Sequence, residues 1–300
     1  MTQYHKSKKA SPKPPWLKRS LPTNPKYEKI RSLLKKNRLH TVCEEARCPN
    51  MWECFSCSTA TFLIMGPYCT RNCQFCAITH GNPETVDVEE PVRVAEAVQD
   101  MNLKYVVVTS VTRDDLTDGG ATYFARTIRE IRKNRPETQV EVLIPDLMGN
   151  KDALNMILDA CPDVLNHNIE TVSRLYSSVR PEADYNRSLE ILKKASSKIP
   201  TKSGLMLGLG EMQDEIHRTL QDLFDAGCRM LTLGQYLQPT TKHPPVERYI
   251  PPEEFDEWKS IALKIGFSGV ASGPFVRSSY HAKEMFNNAI NPADIFLYQD

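Results

Sequence analysis

The sequence predicts an α/β fold, a partial barrel built from six strand–helix units. Three observations support this. Short apolar segments of strand character alternate with helical periods from residue 61 onward. Polar residues gather just after the strands, where parallel sheets place their sites. Six units fall short of the eight of a closed barrel; a doubly wound sheet is the other arrangement this alternation permits.

The elements follow in order. Residues 1–25 are rich in Pro and Lys and read as extended chain, and residues 27–39 as a short basic helix. The first strand is 61–65, Thr-Phe-Leu-Ile-Met, stopped by Gly66-Pro67. The β-branched run at 104–110 is the second strand, followed by a polar loop and a helix at 121–134. Strand 139–145 precedes helix 151–160, and strand 164–170 precedes helix 186–198. Strand 202–208 leads to helix 214–226, and strand 229–234 to helix 252–264. Such alternation implies parallel strands joined by right-handed crossovers. No G-x-G-x-x-G fingerprint follows the first strand, and Gly208-Leu-Gly210 lies far downstream of it.

Composition sets the class. The chain has 300 residues, 40% hydrophobic and 25% charged, enough for one large or two small globular domains. No apolar run approaches the roughly 18 residues of a membrane span. The first residues lack the apolar stretch of a secretory signal, so a cytoplasmic protein with no membrane partner is expected. Net charge is +1, yet residues 1–38 carry twelve Lys or Arg against one acid, Glu28. That arm reads either as a solvated tail or as a steering surface for an acidic partner. Its only aromatics are Tyr4, Trp16 and Tyr27, with no base-reading module, so no nucleic acid is expected.

The cysteines carry the chemistry. Seven of nine fall between Cys43 and Cys76. One trio is Cys43-x4-Cys48-x5-Cys54, trailed by Cys57; the other is Cys69-x3-Cys73-x2-Cys76, directly after the first strand. Thiolates at this spacing can wrap a multi-iron cluster, and three of them leave one iron of a four-iron cluster open. A disulfide framework suits neither the length nor the odd count. Structural zinc is the stronger rival, although each trio would need a further ligand and neither has paired C-x2-C halves. Cys161 and Cys228 read as buried structural thiols.

A C-x3-C-x2-C loop after the first strand of a β/α array resembles the radical S-adenosylmethionine enzymes. The resemblance narrows on Cys43-Glu-Glu-Ala-Arg-Cys48-Pro-Asn-Met-Trp-Glu-Cys54, Thr109-Ser-Val-Thr-Arg-Asp-Asp115 with Asp118-Gly-Gly120, Asn166-His-Asn-Ile-Glu-Thr171 and Gly273-Pro-Phe-Val-Arg-Ser-Ser-Tyr-His281. Over about residues 27–282 the chain is similar to the lipoyl synthases. That resemblance implies a radical-type (β/α)6 partial-barrel core at 59–266, an N-terminal cluster-binding segment at 1–58 and a C-terminal segment at 267–300.

It implies two [4Fe–4S] clusters and S-adenosylmethionine as cofactors. Cys69, Cys73 and Cys76 would hold the cluster that serves radical formation; Cys43, Cys48 and Cys54 with Ser279 would hold an auxiliary cluster that donates sulfur. Of Ser278 and Ser279, the second is favoured. Phe75, Asn168, Glu170 and Arg180 would contact S-adenosylmethionine, with Thr109 and Asp118 lining the same cavity. The implied reaction is insertion of two sulfur atoms at C6 and C8 of a protein-bound octanoyl-lysine chain. Implied partners are octanoylated lipoyl carrier domains (glycine cleavage H protein, E2 subunits of 2-oxoacid dehydrogenases), an electron donor and an iron–sulfur carrier for cluster repair. Cys57 departs from the family pattern and reads as a bystander. Rival readings are a methylthiotransferase, a two-cluster electron carrier and a zinc-binding interaction protein. A short segment before the first strand counts against the first, and six β/α units beyond the cysteines against the second.

Overall fold

The computed structural model describes residues 12–18, 25–56 and 61–289. Strands β1 (His40–Thr41), β2 (Thr61–Ile64), β3 (Tyr68–Cys69), β4 (Thr79–His80), β5 (Tyr105–Ser110), β6 (Gln139–Leu143), β7 (Val164–Asn166), β8 (Thr201–Leu207), β9 (Met230–Gln235) and β10 (Gly269–Gly273) form two sheets. The main sheet has eight strands in the order β1-β2-β5-β6-β7-β8-β9-β10, parallel throughout except where β1 runs antiparallel to β2. Its edge strands do not pair with each other, so the barrel is partial. Side chains after or within β2, β5, β6, β7, β8 and β9 nevertheless line one cavity, which requires the sheet to curl around it.

The helices are α1 (Pro25–Lys36), α2 (Val42–Glu45), α3 (Met51–Ser56), α4 (Glu90–Asp100), α5 (Ala121–Asn134), α6 (Lys151–Leu158), α7 (Tyr176–Val179), α8 (Tyr185–Ser196), α9 (Gln213–Asp225), α10 (Pro252–Ile265) and α11 (Ala282–Ala289). Their sequences explain their faces. In α5 the buried Ala121, Phe124, Ala125, Ile128 and Ile131 recur at helical spacing, while Arg132 and Lys133 close the last turn against the dipole. Asp118 holds its start, accepting from the amides of Gly120 at 2.9 Å and Thr122 at 2.8 Å. In α9, Ile216, Thr219, Leu220 and Leu223 face the sheet, and Glu215 reaches back to the Met212 amide at 2.8 Å. Each fully buried Leu or Ile on these faces contributes about 1.5–3 kcal/mol relative to exposure.

The six expected strands are all present, within a residue or so at their starts. Strand β7 is shorter than the expected 164–170: it ends at Asn166, and Glu170 returns to the sheet only through a single bridge to Leu205. Several elements had no counterpart in the sequence reading, among them α4, β10 and α11. The signal for α4 was Pro91 in its first turn with Val94 and Val98 one turn apart. The Gly-Val-Ala-Ser-Gly of β10 lacks the β-branched run of a strand and is strand only because β9 pairs with it. Helix α11 lies beside β10. The sheet therefore extends past residue 266.

Two expectations fail. Cys161 is exposed, in the left-handed turn after α6 (φ 57°), because a chain leaving that helix turns at the surface; of these two cysteines Cys228 alone is buried. Asp118 does not line the cavity: its carboxylate is committed to the start of α5. Cys57, and residues 1–11 and 19–24 of the basic arm, lie outside the described residues.

Candidate active site

Both cysteine trios face one cavity of about 490 Å³ at the C-terminal ends of the parallel strands. Its wall includes Cys43, Cys48, Cys54, Cys69, Cys73 and Cys76, together with Phe75, Asn168, Glu170, Arg180, Ser278 and Ser279. Every residue singled out as a site candidate from the sequence, apart from Asp118 and the undescribed Cys57, is thus brought to the same place.

The Cys69–Cys76 loop leaves β2 through Met65 (φ 68°) and Gly66 (φ 86°), a reversal glycine makes without strain. Pairing of β3 with β4 joins its two ends. Around its circumference it is tied to four other segments. Cys69 Sγ accepts from the Thr112 amide at 3.3 Å, and the Gln74 amide donates to the Val179 carbonyl at 2.9 Å. Nε2 of His243 lies 2.9 Å from the Cys76 carbonyl, and Nδ1 of the same ring 2.8 Å from the Thr240 hydroxyl.

Arg71, inside the loop, makes the strongest tie. It donates to both oxygens of Asp114 at 2.6 and 2.9 Å and to Asp146 Oδ1 at 2.6 Å. Arg187 reaches the other oxygen of Asp146 at 3.0 Å. Burial alone would raise the Asp146 carboxyl, but the hydrogen bond and charge of Arg71 outweigh it and hold that carboxyl below the usual range.

Burial pushes the thiols the other way. Cys76 and Cys43 are each pushed up to about 12, first by desolvation and then by neighbouring sulfurs and acids. Burial also raises Cys73, against the opposing pull of the Arg180 guanidinium beside it. Thiols crowded out of water in this way are poor ligands until a cation replaces their protons, so loading this site releases protons.

The first trio sits on short local structure. Thr41 caps α2, accepting from the Glu44 amide at 3.3 Å, and places Cys43 at its start. The Cys48 amide returns to the Cys43 carbonyl at 3.0 Å, and Cys54 follows on α3. Two long-range contacts bring the C-terminal segment to this trio. Asn50 Nδ2 donates to the Phe275 carbonyl at 2.6 Å, and the Tyr280 hydroxyl to Glu53 Oε1 at 2.8 Å. Gly234 on β9 makes room for the same segment, since a Cβ there would collide with the Val276 carbonyl oxygen.

Opposite the trios, Glu170 adopts φ 66°, a left-handed geometry uncommon for a residue with a side chain and concentrated at functional sites. Asn168 Nδ2 bridges Glu170 Oε1 at 2.9 Å and Ser278 Oγ at 2.6 Å. Arg180 is buried, donating from Nη1 to the Asn168 carbonyl at 3.0 Å and the Tyr176 hydroxyl at 2.8 Å. Phe75 packs beside Val179, Leu209 and Tyr236. Sequence reasoning missed His167, Gly204, Thr232 and Tyr236 as wall residues. His167 is neutral, its imidazole lowered to about 4 by burial and then by the Arg180 charge. Only its place in the Asn166–Thr171 motif could have signalled it.

Among the described residues, no set of three or more His, Cys, Asp or Glu side chains is arranged to hold a single metal ion. A tetrahedral zinc with bonds near 2.3 Å draws its sulfurs to within about 4 Å of each other. A multi-iron cluster spreads them further and needs the roomy, thiol-lined cavity seen here. Buried polar atoms left without partners, Asn168 Oδ1 and Arg180 Nε, add sites for a polar ligand in the same wall. Residues and cavity fit the clusters and S-adenosylmethionine.

A partial parallel barrel with three thiols after its first strand defines a class, and the family model of the Radical SAM superfamily matches residues 63–223. Solved structures agree in fold. HydG, a maturase of the [FeFe]-hydrogenase, aligns with a TM-score of 0.54 at 15% identity over 88% of this chain and 70% of its own. Methylornithine synthase (PylB) aligns with a TM-score of 0.50 at 15% identity, covering 76% of this chain and 68% of its own. A model of the N-terminal domain of lipoyl synthase of the Radical_SAM family matches residues 2–48. Lipoyl synthase of Desulfotalea psychrophila is 59% identical over 92% of this chain and 94% of its own, and that of Rubrobacter xylanophilus 54% identical over 92% and 87%. The chain belongs to the lipoyl synthase family. No helix among the described residues is long and apolar enough to cross a membrane.

Proposed function

We propose that the protein is a lipoyl synthase: it inserts two sulfur atoms at C6 and C8 of an octanoyl-lysine chain on a carrier protein. The observation that carries this reading is the shared cavity, with both thiol trios and Ser279 in one wall system. When bound, one [4Fe–4S] cluster with S-adenosylmethionine supplies a 5′-deoxyadenosyl radical able to take hydrogen from an unactivated carbon, and the second supplies sulfur.

The chain's own residues divide the work. Cys69, Cys73 and Cys76 hold the first cluster, on a loop braced by Arg71 and His243. Cys43, Cys48 and Cys54 hold the second with Ser279, an oxygen ligand harder than thiolate. Phe75 offers an apolar face for an adenine ring, and Asn168 and Glu170 offer acceptors for hydroxyl and ammonium donors. Arg180 provides positive charge beside Cys73 and a free Nε for a carboxylate. The apolar wall of Leu63, Val111, Leu143 and Leu205 suits a saturated chain and keeps water from it. Carriers of the glycine cleavage H protein and 2-oxoacid dehydrogenase E2 type are the substrates in this reading, with an external electron donor and an iron–sulfur carrier that restores the spent cluster.

Anaerobic iron and sulfide analysis with single-turnover assay on an octanoyl-lysine carrier tests it. About eight irons per chain are expected. Cys73→Ala abolishes 5′-deoxyadenosine formation; Cys48→Ala retains it but yields no sulfur insertion. Equal loss of cleavage in both variants would falsify this division of labour.

A further inference from the structure

Asn168 stands between the two halves of the site. Its carboxamide has two N–H donors and one oxygen. Both donors are used, toward Glu170 Oε1 at 2.9 Å and Ser278 Oγ at 2.6 Å. Nδ2 rather than Oδ1 therefore faces the Glu170 carboxyl oxygen. Oδ1 is buried without a partner in the cavity wall, and a lone buried carbonyl oxygen is costly until something donates to it. Gly204 keeps the space beside it clear: a Cβ there would sit 2.8 Å from Asn168 Oδ1.

We propose that Asn168 is a positioning residue that links S-adenosylmethionine binding to the placement of Ser279, through Ser278. This rests on the reading of Asn168 and Glu170 as contacts of S-adenosylmethionine. A ligand hydroxyl or ammonium that donates to Oδ1 locks the carboxamide, and the locked amide holds the Ser278 hydroxyl. Ser279 is the next residue, so its approach to the Cys43–Cys54 trio is set by the same contact. Linkage is reciprocal: a fixed C-terminal segment must favour ligand binding as much as the ligand favours the segment.

The test uses cluster-loaded full-length protein. Amide hydrogen exchange of residues 275–280 is measured with and without S-adenosylmethionine, alongside its affinity by equilibrium dialysis. In the native protein the ligand slows exchange in that segment. Ser278→Ala, which leaves Asn168 Oδ1 and Ser279 in place, abolishes the slowing and weakens binding about threefold, the scale of one net hydrogen bond. Ser278→Thr, which keeps the hydroxyl, restores both. Unchanged slowing in Ser278→Ala, or none in the native protein while 5′-deoxyadenosine still forms, overturns the link and leaves the functional assignment standing. Absence of 5′-deoxyadenosine in the native protein overturns the assignment and the link with it. Loss of auxiliary iron in Ser278→Ala but not in Ser279→Ala overturns it also, making Ser278 the ligand.

Discussion

The hydroxyl of Tyr280 donates to Glu53 at 2.8 Å, joining residues 227 apart in sequence. Glu53 immediately precedes Cys54 on α3, and Tyr280 immediately follows Ser279. With the Asn50–Phe275 contact at 2.6 Å, this pair determines where the C-terminal serine stands relative to the first cysteine trio.

Tyr280→Phe removes that hydrogen bond and keeps the ring. A cost of about 1 kcal/mol is expected. Sulfur insertion falls while 5′-deoxyadenosine formation persists, as single-turnover analysis of both products will show; parallel loss of the two would refute a local role.

Gly234→Ala introduces a Cβ against the Val276 carbonyl, a backbone atom that cannot rotate away. The segment must shift, costing about 1–3 kcal/mol. The expected signature is auxiliary iron lost ahead of iron bound by Cys69, Cys73 and Cys76, read by Mössbauer spectroscopy.

His243→Ala frees the Cys76 carbonyl. The fold persists, because His243 lies in the segment between β9 and α10, outside the hydrophobic core, but the cluster loop gains freedom. An altered reduction potential and a lower rate of 5′-deoxyadenosine formation at unchanged carrier KM are expected; an unchanged potential would remove His243 from the site.

Asp146→Asn breaks a pair whose side chains are 3% and 0% exposed, Arg71 and Asp146. Losing one partner of a buried pair costs about 3–5 kcal/mol. The equivalent change at the surface pair Arg174–Glu215, where the arginine is half exposed, costs far less, because solvent screens the pair. The folded Asp146 pKa is lowered, so its contribution is complete above the unfolded value near 3.9 and is lost as pH falls through the folded value. Denaturant titrations of wild type and variant should therefore differ most near neutral pH and converge in acid.

Much of this was legible beforehand. The six strands and the helices at 121–134 and 252–264 came from apolar periodicity, a local property of each segment. Strand β10 was not legible, since its glycines carry no strand signal and its conformation comes from pairing with β9. Asp118 was misplaced for a related reason: an acid near a strand end serves a helix cap or a cavity equally well, and only its hydrogen bonds to Gly120 and Thr122 separate the two.

By itself the sequence determined the chemistry available: two thiol trios of different spacing, the Asn166–Thr171 and Arg277–Tyr280 motifs, and strands to carry them. Tertiary structure alone decided that they share one cavity, that Arg71 and His243 brace the loop, and that Asn168 touches both Glu170 and Ser278. Ligand spacing is written within a few residues and survives as sequence. Contacts across more than 200 residues, such as Glu53–Tyr280, exist only once a curled sheet has brought the ends of its strands together.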